Sequence, residues 1–322
     1  MSVRETTALL AVALVFLAAA PSPAAGEPRY ADYRVPSNPD DDRYVYHKPF
    51  KAAPFAAGDV SRFMFDGWQG PAIPVWVYVP SAADVTRAPI LFMMHGASRN
   101  PARYLLEWAP FAEEAGIVVV APEFSRKHFS GRRGYNRGNV SNKRGDRYIP
   151  IPEPQWSFSA IEPLFDHVVA ALQSEQPGYT LYGHSAGAQF VHRFLYYKPE
   201  ARAKRFIAAN AGWYTTPDLA VDYPYGLRNA EVSEEAFARA LRKPLLVLLG
   251  DRDVNMSSSG LNRSEKAMQQ GEHRYNRGVY FFKTAMTQAE RHGLELGWRI
   301  KRVKGVGHSN SGIAKVAVEH VR

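Results

Sequence analysis

The chain has 322 residues, of which 46% are hydrophobic and 12% aromatic, so it can form a large core and is not a disordered protein. Its 40 Lys and Arg residues exceed its 31 Asp and Glu residues, and the formal net charge of +9 favours anionic partners without naming one. The absence of cysteine excludes disulfides, a thiol nucleophile and a thiolate metal site. The length suits one large α/β domain or two small domains.

The first 26 residues have the organisation of a secretory signal peptide. Arg4 precedes an apolar run at residues 8–20, and Ala24 and Gly26 follow in the arrangement that signal peptidase accepts. This run is shorter than the roughly 20 residues that span a bilayer, so an uncleaved anchor is the less favoured alternative. We therefore expect a secreted or periplasmic protein with no integral membrane segment in its mature chain.

Residues 27–60 form a Pro- and Tyr-rich N-terminal extension, in which repeated prolines interrupt any regular element. Three consecutive acids, Asp40, Asp41 and Asp42, are more typical of a solvated loop than of a calcium site, so no metal site is predicted. The remaining residues, 61–322, are expected to form one domain.

Within that domain, short apolar runs alternate with segments of helical spacing. The predicted strands cover residues 75–79, 90–95, 117–121, 179–183, 205–210, 244–250 and 298–303. The predicted helices cover residues 101–115, 158–174, 186–197, 232–242, 279–293 and 310–321. This order predicts βαβ units and a mostly parallel sheet with helices on both faces.

A Gly-His-Ser-Ala-Gly motif lies at residues 183–187, between a predicted strand and a predicted helix. That is the strand-turn-helix context of a nucleophile elbow, in which the flanking glycines allow a tight turn and close packing. Ser185 would be the nucleophile, and the helix N-terminus would present the Ala186 N–H to a developing oxyanion. A Gly-rich turn with an incidental serine is the less favoured alternative.

A serine nucleophile needs a histidine base and an acid, which we expect at the ends of other strands. His308 lies in a Gly-bounded loop after the last predicted strand, and Asp251 and Asp253 follow the strand at 244–250. We favour Asp253 as the acid because Asp251 leaves the strand directly and is better placed to cap the turn.

Two further features lie after strands at the same expected edge of the sheet. Gly96 allows a close turn after the strand at 90–95, so the Ala97 N–H is the expected second oxyanion donor. Trp213 and Tyr214 follow the strand at 205–210, where aromatic rings would form a wall for an acyl chain or a ring, although packing under a loop is equally compatible.

Residues 126–147 are strongly basic and Gly-rich, and they predict a long loop after the strand at 117–121. The segment contains one acidic residue, Asp146. Its eight basic residues are Arg126, Lys127, Arg132, Arg133, Arg137, Lys143, Arg144 and Arg147. The loop would either attract an anionic substrate to the site or form a solvated insertion, and the second alternative is the more common one. No nucleic-acid-binding motif is present, so nucleic acid is disfavoured as a partner.

From about residue 61 to residue 322, the order and context of these motifs resemble the α/β-hydrolase superfamily. Within it, the elbow and the segments 95–100 and 211–214 resemble exported polyhydroxybutyrate-depolymerase-like and feruloyl-esterase-like enzymes. The resemblance implies an α/β-hydrolase fold and an esterase activity on a small or polymeric ester.

We therefore expect an exported serine esterase that works through Ser185, His308 and Asp253 without a metal or organic cofactor. Amide hydrolysis or acyl transfer by the same residues is an alternative that leaves no mark in the sequence. A non-catalytic protein that binds an envelope polymer on the same fold is a third, since fold alone does not settle activity.

Overall fold

The computed structural model describes residues 54–144 and 147–322, which form an α/β fold. Its ten strands are β1 Val60–Phe65, β2 Ile73–Tyr78, β3 Ile90–Met94, β4 Val118–Pro122, β5 Ser141–Arg144, β6 Arg147–Pro150, β7 Tyr179–His184, β8 Ala203–Ala209, β9 Leu245–Gly250 and β10 Arg299–Val303. Its α-helices are α1 Pro101–Ala115, α2 Gly131–Gly134, α3 Ile161–Leu172, α4 Ala186–Tyr197, α5 Glu234–Arg242, α6 Glu265–Met268, α7 Arg274–Arg291 and α8 Asn310–Ala317.

Eight of the strands form one sheet in the order β1-β2-β4-β3-β7-β8-β9-β10. Strands β1 and β2 pair antiparallel with each other, and β2 pairs antiparallel with β4, whereas the strands from β4 to β10 in this order are parallel. The sheet is thus mostly parallel, as predicted. In such sheets, the loops that leave the carboxyl ends of the strands meet at one edge and form the ligand-binding site.

Apolar side chains cover both faces of the sheet. Along β3, Phe92 belongs to one buried cluster while Leu91 and Met93 belong to the other, as the two-residue period of a strand requires. Helices α3, α4, α5 and α7 contribute to the first cluster, and α1 and α8 contribute to the second. This two-sided burial explains why the central strands are continuously apolar in the sequence.

All the predicted strands and helices are present. The boundaries were predicted most accurately where residues typical of helix starts and ends occur in the sequence. Helix α1 has the predicted limits because the Asn100 side chain accepts a hydrogen bond from the Arg103 N–H, Pro101 is the first helical residue and Gly116 adopts the left-handed conformation that ends it. Helix α7 begins five residues earlier than predicted, at Arg274 rather than Val279.

Strand β1 and the basic segment differ from the predictions. Strand β1 was not predicted and begins one residue before the expected domain start at residue 61, and the Gly58 N–H already donates to the Val79 carbonyl at 2.8 Å. The basic segment is not a structureless loop, because it contains the short helix α2 and the antiparallel hairpin of β5 and β6. Backbone pairing in that hairpin satisfies N–H and C=O groups that a loop would leave without backbone partners.

The proposed signal peptide at residues 1–26 lies outside the described residues, as does the extension up to residue 53. Among the helices of residues 54–144 and 147–322, none has the length and apolar character needed to cross a bilayer.

Candidate active site

Ser185 occupies the tight turn between β7 and α4. Its φ of 59° and ψ of −113° form a backbone conformation that residues with a side chain adopt rarely. The Ser185 N–H donates to the Ala209 carbonyl in β8 at 2.9 Å, which anchors the turn to the sheet. Strain of this kind persists where the surrounding structure holds it, and it clusters at functional sites.

The two glycines of the elbow are required by close backbone approach. A Cβ on Gly187 would lie 2.0 Å from the Met94 carbonyl oxygen at the end of β3, and a Cβ on Gly183 would lie 2.2 Å from the Gly187 carbonyl carbon. Any side chain would therefore push α4 away from the strands. The sequence argument for small residues at both positions agrees with this packing.

Ser185, His308 and Asp253 form a hydrogen-bonded chain at the carboxyl edge of the sheet. His308 Nδ1 lies 2.7 Å from Asp253 Oδ2, and His308 Nε2 lies 3.0 Å from Ser185 Oγ. Because an ionised carboxylate only accepts hydrogen bonds, Nδ1 carries the proton and Nε2 can accept the Ser185 hydroxyl proton. The Asp253 side chain is 1% exposed and that of His308 is 30% exposed, so the acid is enclosed while the imidazole remains accessible.

The two candidate acids have different partners. Asp251 Oδ1 accepts the Gly305 N–H at 2.7 Å, in the turn that precedes the histidine loop. Its other oxygen lies 3.8 Å from the Arg302 Nε, whereas the carboxylate that contacts His308 is that of Asp253. Asp251 thus contacts the turn before the histidine loop, and Asp253 contacts the imidazole.

Asn210 joins the loops that carry the acid and the histidine. Its side-chain oxygen accepts the Gly250 N–H at 2.9 Å, and its side-chain nitrogen donates to the Gly307 carbonyl at 3.1 Å. A Cβ on Gly250 would lie 2.4 Å from the Val306 oxygen, so the two loops are in backbone contact. Sequence reasoning missed Asn210, although an Asn at the end of a strand, here with a φ of 48°, is a typical turn signal.

Arg274 is a second residue that sequence reasoning missed. Its Nη1 lies 3.4 Å from Asp253 Oδ1, and its Nη2 donates to the Ser258 hydroxyl at 3.1 Å. The Arg274 side chain is 4% exposed, so the positive charge faces the enclosed Asp253 carboxylate at low local dielectric. No motif in the sequence singles out this arginine.

A cavity of about 440 Å³ opens beside Ser185, and we call it the catalytic pocket. Ala97 and Ala186, the predicted oxyanion donors, both line it. Ala186 is the first residue of α4, where the helix offers no acceptor for the N–H group. Arg126 Nη2 donates to the Ala97 carbonyl at 3.2 Å, in the peptide that follows the Ala97 N–H. Both predicted donors thus lie in the wall of the pocket that Ser185 also lines.

The polar wall of the catalytic pocket is cationic. Besides the hydroxyls of Ser130, Tyr135 and Ser185, it contains four arginines and three amides, namely Arg99, Arg126, Arg132, Arg274, Asn136, Gln189 and Asn262. None of the described residues that line the pocket is an Asp or a Glu. A ligand that carries negative charge would therefore meet donors of the matching sign.

The two predicted substrate-binding aromatics have different surroundings. Trp213 lines the catalytic pocket, and the Arg193 guanidinium carbon lies 4.3 Å from its ring centroid. Tyr214 does not reach the pocket, because its ring is fully buried and stacks on Phe281 at 4.4 Å. The prediction of a substrate contact for Tyr214 is therefore corrected, since its side chain packs under the loop.

The basic segment contributes two of its cations to the catalytic pocket, together with Ser130, Gly131, Tyr135 and Asn136. Arg126 and Arg132 are exposed and line the pocket, whereas Arg133 donates to the Asn139 side chain at 2.8 Å. The side chains of Lys143 and Arg144, and the whole of residues 145 and 146, lie outside the described part of the chain.

His95 anchors the loop that carries Ala97. Its Nδ1–H donates to the Gly96 carbonyl and its Nε2 accepts the Phe124 N–H, each at 3.1 Å. Burial, helped by the nearby charge of Arg99, lowers the pKa of His95 to about 3. The neutral imidazole therefore serves as a fixed donor and acceptor pair that connects two loops around the pocket.

His184 lies directly behind the candidate triad. Its ring centroid is 4.6 Å from that of His308, and its Nδ1 is 3.1 Å from the Tyr104 hydroxyl. Burial, together with the charges of His308 and Arg274, keeps the pKa of His184 well below its usual value. A neutral ring at this position adds no charge behind the His308 imidazole.

Three buried histidines make the stability of the fold sensitive to acid. His95, His184 and His192 all have a folded-state pKa below the unfolded value, chiefly because of burial. Below about pH 6.5 the unfolded chain binds more protons than the folded one. We therefore expect each histidine to lower the free energy of unfolding by up to about 1.4 kcal/mol for each unit by which the pH falls. Urea titrations at pH 7, 6 and 5 measure this slope. His192→Gln should reduce it by about one third. Equal stability at pH 7 and pH 5 would contradict the expectation.

Among the described residues, no group of three His, Asp or Glu side chains has a spacing that would hold a metal ion.

No protein-family model and no curated protein sequence matches this chain, but solved structures do. The poly(aspartic acid) hydrolase-1 from Sphingomonas sp. KT-1 is 40% identical with a TM-score of 0.78, over 81% of this chain and 98% of that one. LpqC, a poly(3-hydroxybutyrate) depolymerase from Bordetella parapertussis, is 30% identical with a TM-score of 0.75, over 81% and 88%. An S-formylglutathione hydrolase from Agrobacterium tumefaciens, at 18% identity and a TM-score of 0.52 over 81% and 91%, shares the fold.

The fold and these likenesses define a serine hydrolase of the α/β-hydrolase superfamily, an enzyme of the carboxylic ester hydrolase class. Within that superfamily, the chain belongs to the polyhydroxybutyrate-depolymerase-like family.

Proposed function

We propose that this protein hydrolyses acyl bonds through a Ser185-His308-Asp253 triad and an acyl-enzyme intermediate. The observation that carries the proposal is the pair of hydrogen bonds, 2.7 Å and 3.0 Å, that link the three side chains beside the catalytic pocket. Nucleophile, base and acid within hydrogen-bond reach of one another are what activation of a serine requires.

In the first half of the reaction, the Ser185 hydroxyl attacks the substrate carbonyl carbon while its proton passes to His308 Nε2. Asp253 fixes the tautomer and stabilises the imidazolium, and the Ala97 and Ala186 N–H groups hold the oxyanion. His308 then protonates the leaving group. In the second half, water loses its proton to His308 and adds to the acyl carbonyl, which releases the acid and restores Ser185.

We propose carboxylic esters with an anionic acyl chain as the substrate class. Arg126 and Arg132, the exposed arginines of the catalytic pocket, support this choice, because guanidinium groups pair with carboxylates in a forked geometry. Arg274 faces Asp253 and adds only its positive charge. In this proposal, Arg126 and Arg132 attract the anionic substrate, which is the role predicted for the basic segment. Trp213 offers an apolar surface for the stem of the acyl chain.

Amide hydrolysis in a polyanionic chain is the second candidate, and the cationic wall favours it as well. The relative at 40% identity is a poly(aspartic acid) hydrolase, and poly(aspartic acid) carries a carboxylate on every repeat. The same triad would serve, with His308 protonating an amine leaving group. Comparison of poly(aspartic acid) with poly(malic acid), a polyester that carries a carboxylate on every repeat, separates the two candidates when newly formed chain ends are assayed.

We also propose that the enzyme is exported. The signal-peptide pattern at residues 1–26 supports this, as does a polymeric substrate, which would have to be cleaved outside the cell.

Neutralising the two exposed arginines should affect anionic substrates selectively. In the double variant Arg126→Gln, Arg132→Gln, we expect kcat/KM for mono-p-nitrophenyl succinate to fall about tenfold, since charge-assisted hydrogen bonds contribute about 1.5 kcal/mol or more, discounted for exposure. Turnover of p-nitrophenyl butyrate should change less than about twofold. Arg133→Gln is the matched control, because Arg133 is bonded to Asn139 instead. Equal losses on both esters would reject the carboxylate-binding role.

A further inference from the structure

A second and larger cavity, of about 840 Å³, lies next to the catalytic pocket, and we call it the distal cavity. The hairpin of β5 and β6 contributes Arg147 and Tyr148 to its wall, and the loop after β8 contributes Tyr223, Tyr225 and Arg228. Lys266, on the short helix α6, completes the basic side. The function proposed above leaves this cavity unused.

One layer of side chains separates the two cavities. Trp213 lines the catalytic pocket and Tyr225 lines the distal cavity, and their ring centroids are 4.6 Å apart. Asn262, also in the wall of the catalytic pocket, donates its side-chain N–H to the Tyr225 hydroxyl at 3.1 Å. An extended chain advances about 3.5 Å per peptide repeat, so a few repeats suffice to cross from one cavity to the other.

The charges around the distal cavity suit a polyanion. Arg147 and Lys266 are both exposed, and with Arg228 they make three cations in a wall that also holds two acids, Asp222 and Glu231. The Lys266 charge helps to lower the pKa of Asp222, behind the larger contribution of Arg228. Arg228 is held by Asp222 in a forked pair with two contacts of 2.7 Å, which leaves Arg147 and Lys266 as the available cations.

The floor of the distal cavity is aromatic. The Tyr148 and Tyr223 rings meet edge to face at 5.3 Å, and Tyr225 donates to or accepts from the Ser264 hydroxyl at 2.7 Å. Rings fixed in this way offer apolar contact to an extended backbone at little cost in side-chain entropy. Cations and aromatic rings in one wall match the carboxylates and the backbone of an acidic polymer.

We propose that the distal cavity is a chain-binding subsite for a polymeric substrate with carboxylate side groups, whose bond under attack lies at Ser185. This inference rests on the proposed function and extends it from one acyl group to a chain. Arg147 and Lys266 hold carboxylates a few repeats from the reacting carbonyl, and the Trp213–Tyr225 pair is the ridge over which the chain passes. Longer chains therefore bind more tightly than short ones.

The test compares the full-length double variant Arg147→Gln, Lys266→Gln with the parent. The probes are poly(aspartic acid) and mono-p-nitrophenyl succinate, the latter too short to reach the distal cavity. We expect KM for the polymer to rise about tenfold with little change in kcat, whereas kinetics on the short ester stay within about twofold. The matched control is Lys283→Gln, Lys315→Gln, which removes the same charge from exposed lysines on α7 and α8 that line neither cavity.

Direct binding separates failure of the subsite from failure of the proposed function. Fluorescein-labelled poly(aspartic acid) is titrated into Ser185→Ala protein with and without the two distal substitutions, and anisotropy reports Kd. A tenfold weaker Kd with the distal substitutions supports the subsite even if the parent turns over no polymer, in which case the polymer-hydrolysing function alone fails. An unchanged Kd, or an equal loss in the lysine control, overturns the subsite.

Discussion

Replacement of Ser185 by alanine should lower kcat for a p-nitrophenyl ester by about 10⁴- to 10⁶-fold, because the covalent route is lost while the oxyanion donors remain. His308→Ala should cause a loss of similar size, since an unactivated hydroxyl is a poor nucleophile. Both variants should fold, because neither side chain is part of the buried apolar clusters. Steady-state kinetics with a thermal unfolding scan of each variant measure both effects.

The combined variant makes this prediction sharper. Residues that act as one catalytic unit show non-additive losses, so Ser185→Ala with His308→Ala should be hardly slower than either single variant. Multiplied losses would indicate that the two side chains act independently and would contradict a shared proton transfer.

Asp253→Asn should lower kcat by about 10⁴-fold, a loss of the size that follows when the acid of such a triad can no longer hold the imidazole tautomer. The amide would present donors as well as an acceptor to His308 Nδ1, at a contact that is 2.7 Å long in the parent. The variant would also leave the buried Arg274 charge without its carboxylate partner, so some loss of stability is expected as well.

Asp251→Asn is the matched control for that variant. Asp251 accepts the Gly305 N–H, and an Asn side-chain oxygen can keep this hydrogen bond, so kcat should change less than about threefold. The pair of variants decides between the two acids that follow β9. A large loss in Asp251→Asn with near-normal activity in Asp253→Asn would assign the acid to Asp251 instead.

The elbow could be predicted from the sequence because its requirements are local. Only glycine fits at 183 and 187, because a Cβ there would collide with backbone atoms. The five-residue motif at 183–187 therefore predicts the turn by itself. The placement of Asp253 and His308 followed from strand order, since parallel strands bring their carboxyl ends to one edge whatever their separation in sequence.

The start of α7 could not be predicted because buried arginines break its apolar pattern. Arg277 is fully buried and donates to the carbonyls of Gly212, Gly271 and Asn262, and burial lowers its pKa to about 10. Arg274 contacts the Asp253 carboxylate and the Ser258 hydroxyl, which belong to another loop. These partners come from distant segments of the chain. A prediction from helical periodicity alone therefore assigns Arg274 and Arg277 to the solvent-exposed face of the helix.

Only two of the four arginines in the wall of the catalytic pocket could be predicted from the sequence. The clustering of Arg126 and Arg132 in one basic segment drew attention to both, whereas Arg99 and Arg274 are isolated in sequence and meet them only in the fold. Trp213 and Tyr214 show the same limit, because adjacent residues face different surroundings and the sequence does not say which one faces the pocket.

Active-site labelling can show directly whether Ser185 is an activated nucleophile. The purified protein is treated with a fluorophosphonate probe, digested, and the modified residue is located by mass spectrometry, with His308→Ala treated in parallel. We expect stoichiometric labelling of Ser185 and a strong reduction of that labelling in the His308 variant. Absence of labelling in the folded parent, or labelling at another serine, would contradict an activated Ser185.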